Sequence, residues 1–370
     1  MMPTSTAKPP HPTTTPWSAT SSADAESSAA KAADDVVTAA ENAAAPRFSI
    51  LIAAWNAARF LPECLASLRA QTLADYEVLC VDDASTDATA EMLDAAARAD
   101  GRLRVWHLAH NGGQAAARNV ALAEARGAYT LMVDADDRLA PDALALLDAA
   151  LSAEHDADAA VLRLVCFDDG GTETEVPVRT GRRSLSGREA CLLSIDLSLH
   201  GLYALRTYLF QAHPYPEQPR RYADDTITPV HYALCRRVVL TRATYFYRRH
   251  AASCTAALFP EKLDFIAANA LLRAHIEGMG FGRAARQRCE AYIWANYVSL
   301  YRRYLMTRHG LSPEVRRMCR SAFRTAHAAM RPLRLPRRLW MQPSTFFVPT
   351  FTLFALWQRL LWAAKGRPRE

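Results

Sequence analysis

The sequence predicts an α/β fold with a mixed, mainly parallel sheet flanked by helices and followed by a C-terminal helical extension. From Phe48 to Phe167, short apolar runs alternate with segments of helical period, which is typical of strands joined by crossover helices. Acidic residues directly follow two of the apolar runs, where an open parallel sheet places its ligand crevice. Residues 261–330 carry an arginine-rich helical pattern without strand-like runs.

The pattern predicts individual elements with approximate bounds. Strands are predicted at 48–53, 77–81, 104–108, 129–133 and 159–167, and helices at about 58–70, 87–99, 113–126 and 141–153. Asp87 and Pro141 support two helix starts, as a cap and a first-turn proline. After a turn-rich break at 168–187, a helix is predicted at about 226–237, followed by a strand-like pair at 238–240 and 244–249.

Composition divides the chain into three regions. Residues 1–45 are rich in Thr, Ser, Pro and Ala, and we predict that they are disordered. Residues 46–258 form the predicted α/β domain, with halves at 46–150 and 151–258, and residues 259–370 form a basic helical region with an apolar tail. With 370 residues, of which 50% are hydrophobic, the chain is long enough to bury a substantial core.

Two absences in the sequence narrow the class of protein. No apolar run before Phe48 resembles an export signal, so we expect the catalytic part to face the cytoplasm. The 8 cysteines contain no C-x-x-C pair and no matching histidine spacing, which argues against a zinc site and a disulfide framework.

Charge is unevenly distributed along the chain. The formal net charge is +6, yet residues 281–370 contain 18 Lys or Arg against 3 Asp or Glu. Such a region suits an anionic membrane surface or nucleic acid, and because no nucleic-acid-binding motif accompanies it, we expect no nucleic-acid partner. The apolar tail at 344–364 is interrupted by Pro349 and Arg359, which predicts either a helix lying in the membrane interface or one docked on the protein.

Carboxylates follow the second and fourth predicted strands, at Asp82–Asp83 and at Asp134, Asp136 and Asp137. Alternation along the chain would point Asp134 and Asp136 the same way, where a divalent cation could join them. A Mg²⁺ or Mn²⁺ ion that also binds phosphate oxygens would relieve the repulsion between these carboxylates. The alternative is a solvated acidic loop that only caps the next helix.

A glycine pair lies between the third strand and its helix, in "HNGGQAAARN" at residues 110–119. Paired glycines allow close approach of the backbone, and Arg118 could project from the first helical turns toward a phosphate or a carboxylate. The segment is not a dinucleotide fingerprint, because G-x-G-x-x-G is absent after the first strand.

Two longer segments resemble a known family. "FSILIAAWNAARFLPECLASLRAQTLADYEVLCVDDASTDAT" and "HNGGQAAARNVALAEARGAYTLMVDADDRLAPDAL" look like the family 2 glycosyltransferases of the GT-A fold, which are inverting, nucleotide-sugar-dependent enzymes. The match runs from Phe48 to about Leu147, with strand ends, spacing and motif order in agreement. The resemblance implies a GT-A, Rossmann-like sheet and a metal-dependent hexosyltransferase that uses Mn²⁺ or Mg²⁺.

The resemblance also implies a donor site. Ala53, Asn56 and Asp83 would lie near the base and ribose, with Asp83 as an acceptor for a base N–H. Asp134 would face the ribose or the metal, and Asp136 would bind the metal on the diphosphate. Arg118 matches the arginine of the family's A-R-N segment.

The family places its general base in an E-D pair at a helix start after D-x-D. The matching segment here is "RRYADDTITPVHYALCRR", with Asp224 in the glutamate position and Asp225 as the base. The departure from the family pattern at Asp224 leaves open which of the two carboxylates serves, and either could be only a helix cap. Late in the domain, Tyr247, Arg249 and His250 could close over the diphosphate, with His250 as a third metal ligand.

The resemblance implies a glycosyltransferase, which we expect to act in surface polysaccharide or lipopolysaccharide assembly. The donor would be a nucleoside-diphosphate sugar, a UDP-sugar being the first candidate, and the acceptor would be a glycan or a lipid-linked glycan. The enzyme would work in the cytoplasm, peripherally on the inner face of the cell membrane. The alternative is a non-catalytic nucleotide-sugar-binding or scaffold protein with the same fold.

Overall fold

The computed structural model describes residues 45–364 apart from 179, 251–258, 337–338, 340–341 and 344. The predicted disordered segment therefore lies outside the described residues except for Ala45. From Pro46 onward the chain forms one unit, in which the basic helical region packs against the α/β domain.

The described strands form one mixed sheet. They are β1 (Phe48–Ala54), β2 (Tyr76–Asp82), β3 (Leu103–His107), β4 (Tyr129–Met132), β5 (Arg138–Leu139), β6 (Ala157–Phe167), β7 (Glu173–Val176), β8 (Ser184–Ser186), β9 (Tyr203–Arg206) and β10 (Arg237–Arg248). Their order is β3-β2-β1-β4-β9-β6-β10-β5, with β7 beside β6 and β8 beside β10.

Strands β1 to β4 form the parallel half of the sheet. Phe48 at the start of β1 pairs with Tyr76 of β2 on one side and with Tyr129 of β4 on the other. Strand β9 then runs antiparallel between β4 and β6. The predicted mixed, mainly parallel sheet is confirmed, and the carboxyl ends of β1, β2 and β4 lie at one edge.

Helices cover both faces of the sheet and form the C-terminal region. They are α1 (Leu61–Arg69), α2 (Thr89–Ala99), α3 (Gln114–Ala123), α4 (Ala143–Ala153), α5 (Gly187–Ser194), α6 (Thr207–Ala212), α7 (Ala223–Leu234), α8 (Asp264–Gly278), α9 (Arg283–Thr307), α10 (Pro313–Ala328) and α11 (Phe351–Ala364).

Most differences from the sequence-based bounds have local causes. Helix α2 begins at Thr89, because the carboxylate of Asp87 accepts the Thr89 backbone N–H and ends the preceding loop. Helix α7 begins at Ala223, and it tolerates Pro229 within it. The predicted strand pair at 238–249 is the single strand β10, whose register shifts between Leu240 and Thr244.

Alternate side chains of β1 enter two separate cores, as expected for a strand buried on both faces. Ile50 and Ile52 pack on one face of the sheet. Leu51 packs on the other face, in a cluster that also contains Leu272 of α8 and Ile293 of α9. The C-terminal helices are therefore part of the same core as the strands that carry the site.

The apolar tail forms α11, and one side of this helix docks on the protein. Phe354 is fully buried in an aromatic cluster that includes Trp294 and Phe323. The opposite side carries Leu353, Leu356 and Leu360, which are 53%, 53% and 54% exposed. Among the described helices, none combines the length and the apolar character needed to cross a membrane.

Candidate active site

An acidic turn follows β4 at the ligand-facing edge of the sheet. The Asp137 backbone N–H donates to the Asp134 carbonyl at 3.0 Å, which closes the turn. Each of Asp134, Asp136 and Asp137 offers a carboxylate oxygen, and these atoms lie within 4.8 Å of one another. The three carboxylates therefore lie close together at the carboxyl end of β4.

Asp137 is the internal anchor of this turn. Its two carboxylate oxygens accept the Tyr245 hydroxyl at 2.7 Å and the Arg248 backbone N–H at 2.7 Å. Burial, followed by the neighbouring charges of Asp134 and Asp136, raises the pKa of Asp137 to about 9. Both carboxylate oxygens of Asp137 already accept hydrogen bonds from the protein. Asp137 therefore holds the backbone of the turn in the conformation that positions Asp134 and Asp136.

Strand β10 supplies two residues that the sequence analysis did not single out. The Tyr245 hydroxyl also accepts the Asp134 backbone N–H at 3.0 Å, so one phenol holds both ends of the turn. The Arg248 guanidinium donates to the Asp136 carbonyl at 3.0 Å and pairs with Glu63 of α1. In the sequence, only their position a few residues before His250, in a basic and aromatic segment, could have indicated a role in the site.

Arg118 of α3 joins the acidic turn to the second acidic pair. Its guanidinium donates to Asp134 Oδ1 at 2.6 Å and to Asp224 Oδ1 at 2.7 Å, and it lies over the Tyr215 ring. Burial alone would lower the pKa of Arg118, but the carboxylates of Asp224 and Asp134 outweigh burial and raise that pKa well above its ordinary value. The bridge therefore stays charged.

Asp136 is the most available carboxylate of the turn. Its side chain is 32% exposed, and Oδ2 lies 2.8 Å from His250 Nε2. The His250 ring packs against the Phe60 ring at an interplanar angle of 43°, with 4.5 Å between the ring centroids. The buried Nδ1 of His250 has no hydrogen-bond partner among the described residues.

The donor set at this turn fits a hard divalent cation. Asp134 uses Oδ1 to accept Gln114 and Arg118, and the described contacts leave Oδ2 open. Asp134 and Asp136 offer carboxylate oxygens, the donors that Mn²⁺ and Mg²⁺ prefer, and the imidazole of His250 lies beside Asp136. Asp137, by contrast, is already occupied by Tyr245 and Arg248.

Asp83 holds the glycine loop between β3 and α3. Its carboxylate oxygens accept the backbone N–H groups of Gly112 at 2.7 Å and Gly113 at 2.8 Å, and its side chain is buried. Gly113 has a φ of 92°, a left-handed conformation that favours glycine, and a Cβ there would lie 3.2 Å from Arg220 Nε. The predicted contact of Asp83 with a base stays a prediction beside this structural role.

The end of β1 places two predicted residues at the same edge. Ala53 is half-buried, and Asn56, with a φ of 48°, accepts the Thr86 backbone N–H at 2.8 Å through its side-chain oxygen. Between them in sequence stands Trp55, which is 57% exposed. An exposed indole at a ligand-facing edge offers a flat apolar surface to a planar ring, and the sequence analysis did not single it out.

The second acidic pair opens helix α7. Tyr222, at its N-cap, has a φ of 66°, a left-handed conformation that is unusual for a bulky residue. Both residues are partly buried, but Asp224 pairs with Arg118, whereas the ion pairs among the described residues do not include Asp225. Burial, and then the charge of Asp224, raise the pKa of Asp225 to about 7.

The structure therefore brings most of the predicted residues into one connected site. Arg118, Asp134 and Asp224 are bonded directly, and Asp136 with His250 adjoins them through the turn. Tyr247 and Arg249 lie beside His250 on the strand and its exit, and the described hydrogen bond of Arg249 is its backbone N–H to Phe167.

The chain has the GT-A fold, as comparison with solved structures shows. S. aureus TarS residues 1–349 in complex with UDP-GlcNAc superpose with a TM-score of 0.66 and 20% sequence identity, covering 87% of this chain and 93% of that one. Residues 49–207 match the model of glycosyl transferase family 2, and this part of the chain belongs to that family. The sequence-based family assignment is confirmed.

Two curated relatives align with part of the chain. The glycosyltransferase GlyG of Streptococcus pneumoniae is 33% identical over 121 residues, which are 33% of this chain and 40% of GlyG. The poly(ribitol-phosphate) beta-glucosyltransferase of Bacillus spizizenii is 38% identical over 101 residues, which are 26% of this chain and 16% of that enzyme. The alignments thus span well under half of either relative.

Proposed function

We propose that this protein is a metal-dependent inverting glycosyltransferase of the hexosyltransferase type. It transfers a sugar from a nucleoside-diphosphate sugar, with UDP as the first candidate nucleotide, to a hydroxyl group of a glycan or lipid-linked glycan. The product belongs to surface polysaccharide or lipopolysaccharide assembly. The observation that carries this proposal is the Arg118 bridge, which fixes the acidic turn and the pair Asp224–Asp225 in one site.

Asp225 is the general base in this proposal. It accepts the proton of the acceptor hydroxyl while the hydroxyl oxygen bonds to the anomeric carbon and the bond from that carbon to the diphosphate oxygen breaks. A base with a pKa of about 7 is part-ionised at neutral pH and still strong enough to take a proton. Asp224 is bound to Arg118 and acts as the positioning residue, so the structure favours Asp225 over Asp224.

Asp136, Asp134 and His250 hold the cation. A Mn²⁺ or Mg²⁺ ion bound there supplies positive charge to the departing diphosphate. Arg118 keeps Asp134 in place through a 2.6 Å hydrogen bond, and Arg248 fixes the backbone of Asp136. At the nucleoside end, Ala53, Asn56 and Trp55 line the edge where the base and ribose bind.

The exposed face of α11 contacts an anionic membrane surface. Leu353, Leu356 and Leu360 follow one side of the helix, and Phe346 extends this apolar face at 41% exposed. The region from 281 to 370 carries 18 basic against 3 acidic residues, which complements an anionic leaflet. The sequence left open whether this segment docks on the protein or lies in a membrane. In this proposal the helix does both: the side with Phe354 packs on the protein, and the side with the three leucines contacts the membrane.

A panel of nucleotide sugars tests the function. The full chain is incubated with Mn²⁺ and each sugar, with and without lipid-linked acceptor extracts, and release of nucleoside diphosphate is measured. We expect one sugar to give acceptor-stimulated release and the largest rise in Tm. Binding of a nucleotide sugar without any release under all conditions would favour the non-catalytic alternative.

A further inference from the structure

Arg220 is an exposed arginine that contacts the glycine loop between β3 and α3. It lies in the segment between helices α6 and α7, and its Nη2 donates to the side-chain oxygen of Asn111 at 2.6 Å and to the Asn111 carbonyl at 3.1 Å. The guanidinium group also lies beside Gly113, where an added Cβ would be 3.2 Å from Nε and 3.4 Å from Nη2. These contacts hold the cation against the loop.

The segment that carries Arg220 is anchored to helix α3 at a second point. The side-chain oxygen of Asn119 accepts the Tyr215 backbone N–H at 2.9 Å, and the side-chain amide of Asn119 donates to the Tyr215 carbonyl at 2.9 Å. The guanidinium group of Arg118 lies over the Tyr215 ring, 5.0 Å from its centroid. Because the segment is fixed to α3, the fold sets the position of the Arg220 side chain.

The glycine loop connects Asp83 to the acidic turn, and Arg220 contacts the end near Asp83. The Asp83 carbonyl accepts the side-chain N–H of Asn111 at 3.2 Å, and its carboxylate accepts the backbone N–H groups of the two loop glycines. At the other end of the loop, Gln114 Nε2 donates to Asp134 Oδ1 at 2.9 Å. In the proposed function the base of the donor lies at the Asp83 end and its diphosphate at the acidic turn. Arg220 is therefore placed at the base.

The end of β1 adjoins the same part of the site. The Asp83 backbone N–H donates to the Ala54 carbonyl at 2.8 Å, and the exposed Trp55 follows Ala54 directly. Direct contacts thus connect Trp55 through Asp83 and Asn111 to Arg220. An apolar ring face, a carboxylate and a guanidinium group at one edge suit a planar ligand with a polar edge, which is the chemistry of a nucleobase.

The guanidinium group of Arg220 keeps donors for a ligand. Both of its described hydrogen bonds start at Nη2 and end on Asn111, so Nε and Nη1 have no acceptor among the described residues. An arginine presents its N–H donors in one fixed plane. The same side chain can therefore hold the loop and donate to a ligand at the same time.

We propose that Arg220 recognises the base of the donor nucleotide by donating to a carbonyl oxygen of the ring. This inference rests on the proposed function and deepens it, because it selects the class of base. The predicted ligand of Asp83 is a base N–H, and Arg220 adds a hydrogen-bond donor beside that acceptor. Uracil and guanine present a ring N–H next to a carbonyl oxygen, whereas cytosine and adenine present an unprotonated ring nitrogen next to an amino group. Asp83 and Arg220 together therefore favour uracil or guanine and disfavour cytosine or adenine.

UDP and CDP test this role, because the two nucleotides differ only at the base edge that Arg220 recognises. The full chain is titrated with each nucleotide by calorimetry in the presence of Mg²⁺. We expect UDP to bind at least about tenfold more tightly than CDP, and Arg220→Met to weaken UDP binding by about tenfold with CDP binding unchanged. Arg320→Met, at an exposed position of α10, is the matched control and changes neither affinity. If the chain binds GDP instead of UDP, GDP and ADP are the corresponding pair.

The outcomes separate this inference from the proposed function. Absence of binding of both UDP and GDP with Mg²⁺ contradicts the proposed function. Nucleotide binding that Arg220→Met weakens equally for both members of the pair shows that Arg220 only supports the glycine loop, and this result overturns the inference. An affinity for CDP that equals or exceeds that for UDP overturns it as well, and so does an Arg220 variant with unchanged affinities.

Discussion

Arg118 Nη2 lies 2.6 Å from Asp134 Oδ1, in a position where the guanidinium group is almost completely buried. The same group reaches Asp224 at 2.7 Å. One rigid, planar cation thus fixes the distance between the residues assigned to the donor and those assigned to the acceptor. The position of this guanidinium group therefore sets how Asp225, the proposed base, lies relative to the donor sugar.

Replacing Arg118 by Lys should lower kcat by about a hundredfold, because an ammonium group cannot bond both carboxylates in the same fork geometry. Tm should fall as well, since one buried carboxylate contact is lost. Steady-state kinetics and thermal unfolding measure the two effects. Arg126→Lys is the control, because Arg126 is 64% exposed in its pair with Glu77. Equal activity of both variants would show that the bridge does not position the site.

Replacing Asp225 by Asn should lower kcat by about a hundredfold to ten-thousandfold, because the acceptor proton loses its base. Donor binding should stay near wild type, as measured by calorimetry. Asp224→Asn should have a smaller effect on kcat, since Asp224 acts through Arg118. A larger loss of kcat for Asp224→Asn than for Asp225→Asn would exchange their roles.

The pH dependence of activity and stability provides a separate check on Asp225. Because the base must be ionised, kcat/KM should rise with pH and level off above about 7. The raised pKa means that folding favours the protonated acid, so its contribution to stability is present below the unfolded pKa and lost as pH rises through 7. Asp225→Asn should therefore raise Tm at pH 8 and leave it nearly unchanged at pH 4. A constant Tm difference across this range would contradict the assignment.

The sequence predicted the parallel half of the sheet better than the details of the site, for physical reasons. Strands β1, β2 and β4 are apolar runs buried on both faces, and their register follows from that burial. The Arg118 bridge joins residues 106 positions apart, and no local pattern encodes such a contact. The contacts of Tyr245 and Arg248 with the acidic turn depend on the pairing of β10 with β6 and β5, which the sequence does not predict.

Replacing Asp136 by Ala should abolish the effect of Mn²⁺ on nucleotide binding, because Asp136 is the most available carboxylate of the turn. Calorimetry with UDP, with and without Mn²⁺ and after treatment with a chelator, measures this effect. Asp142→Ala is a matched control, because Asp142 is an exposed aspartate outside the turn. An unchanged response to manganese in the Asp136 variant would remove the metal assignment.

Replacing Leu353, Leu356 and Leu360 together by Gln should weaken binding to anionic liposomes by at least about tenfold, because three apolar side chains no longer enter the membrane interface. Folding should be kept, since these side chains are more than half exposed and Phe354 stays in the core. Liposome flotation of the full chain measures binding, at low and high salt, and circular dichroism verifies the fold. Met318→Gln is the control, because Met318 is 52% exposed and belongs to helix α10, not to helix α11. Equal flotation of the triple variant and the control would show that α11 does not contact the membrane.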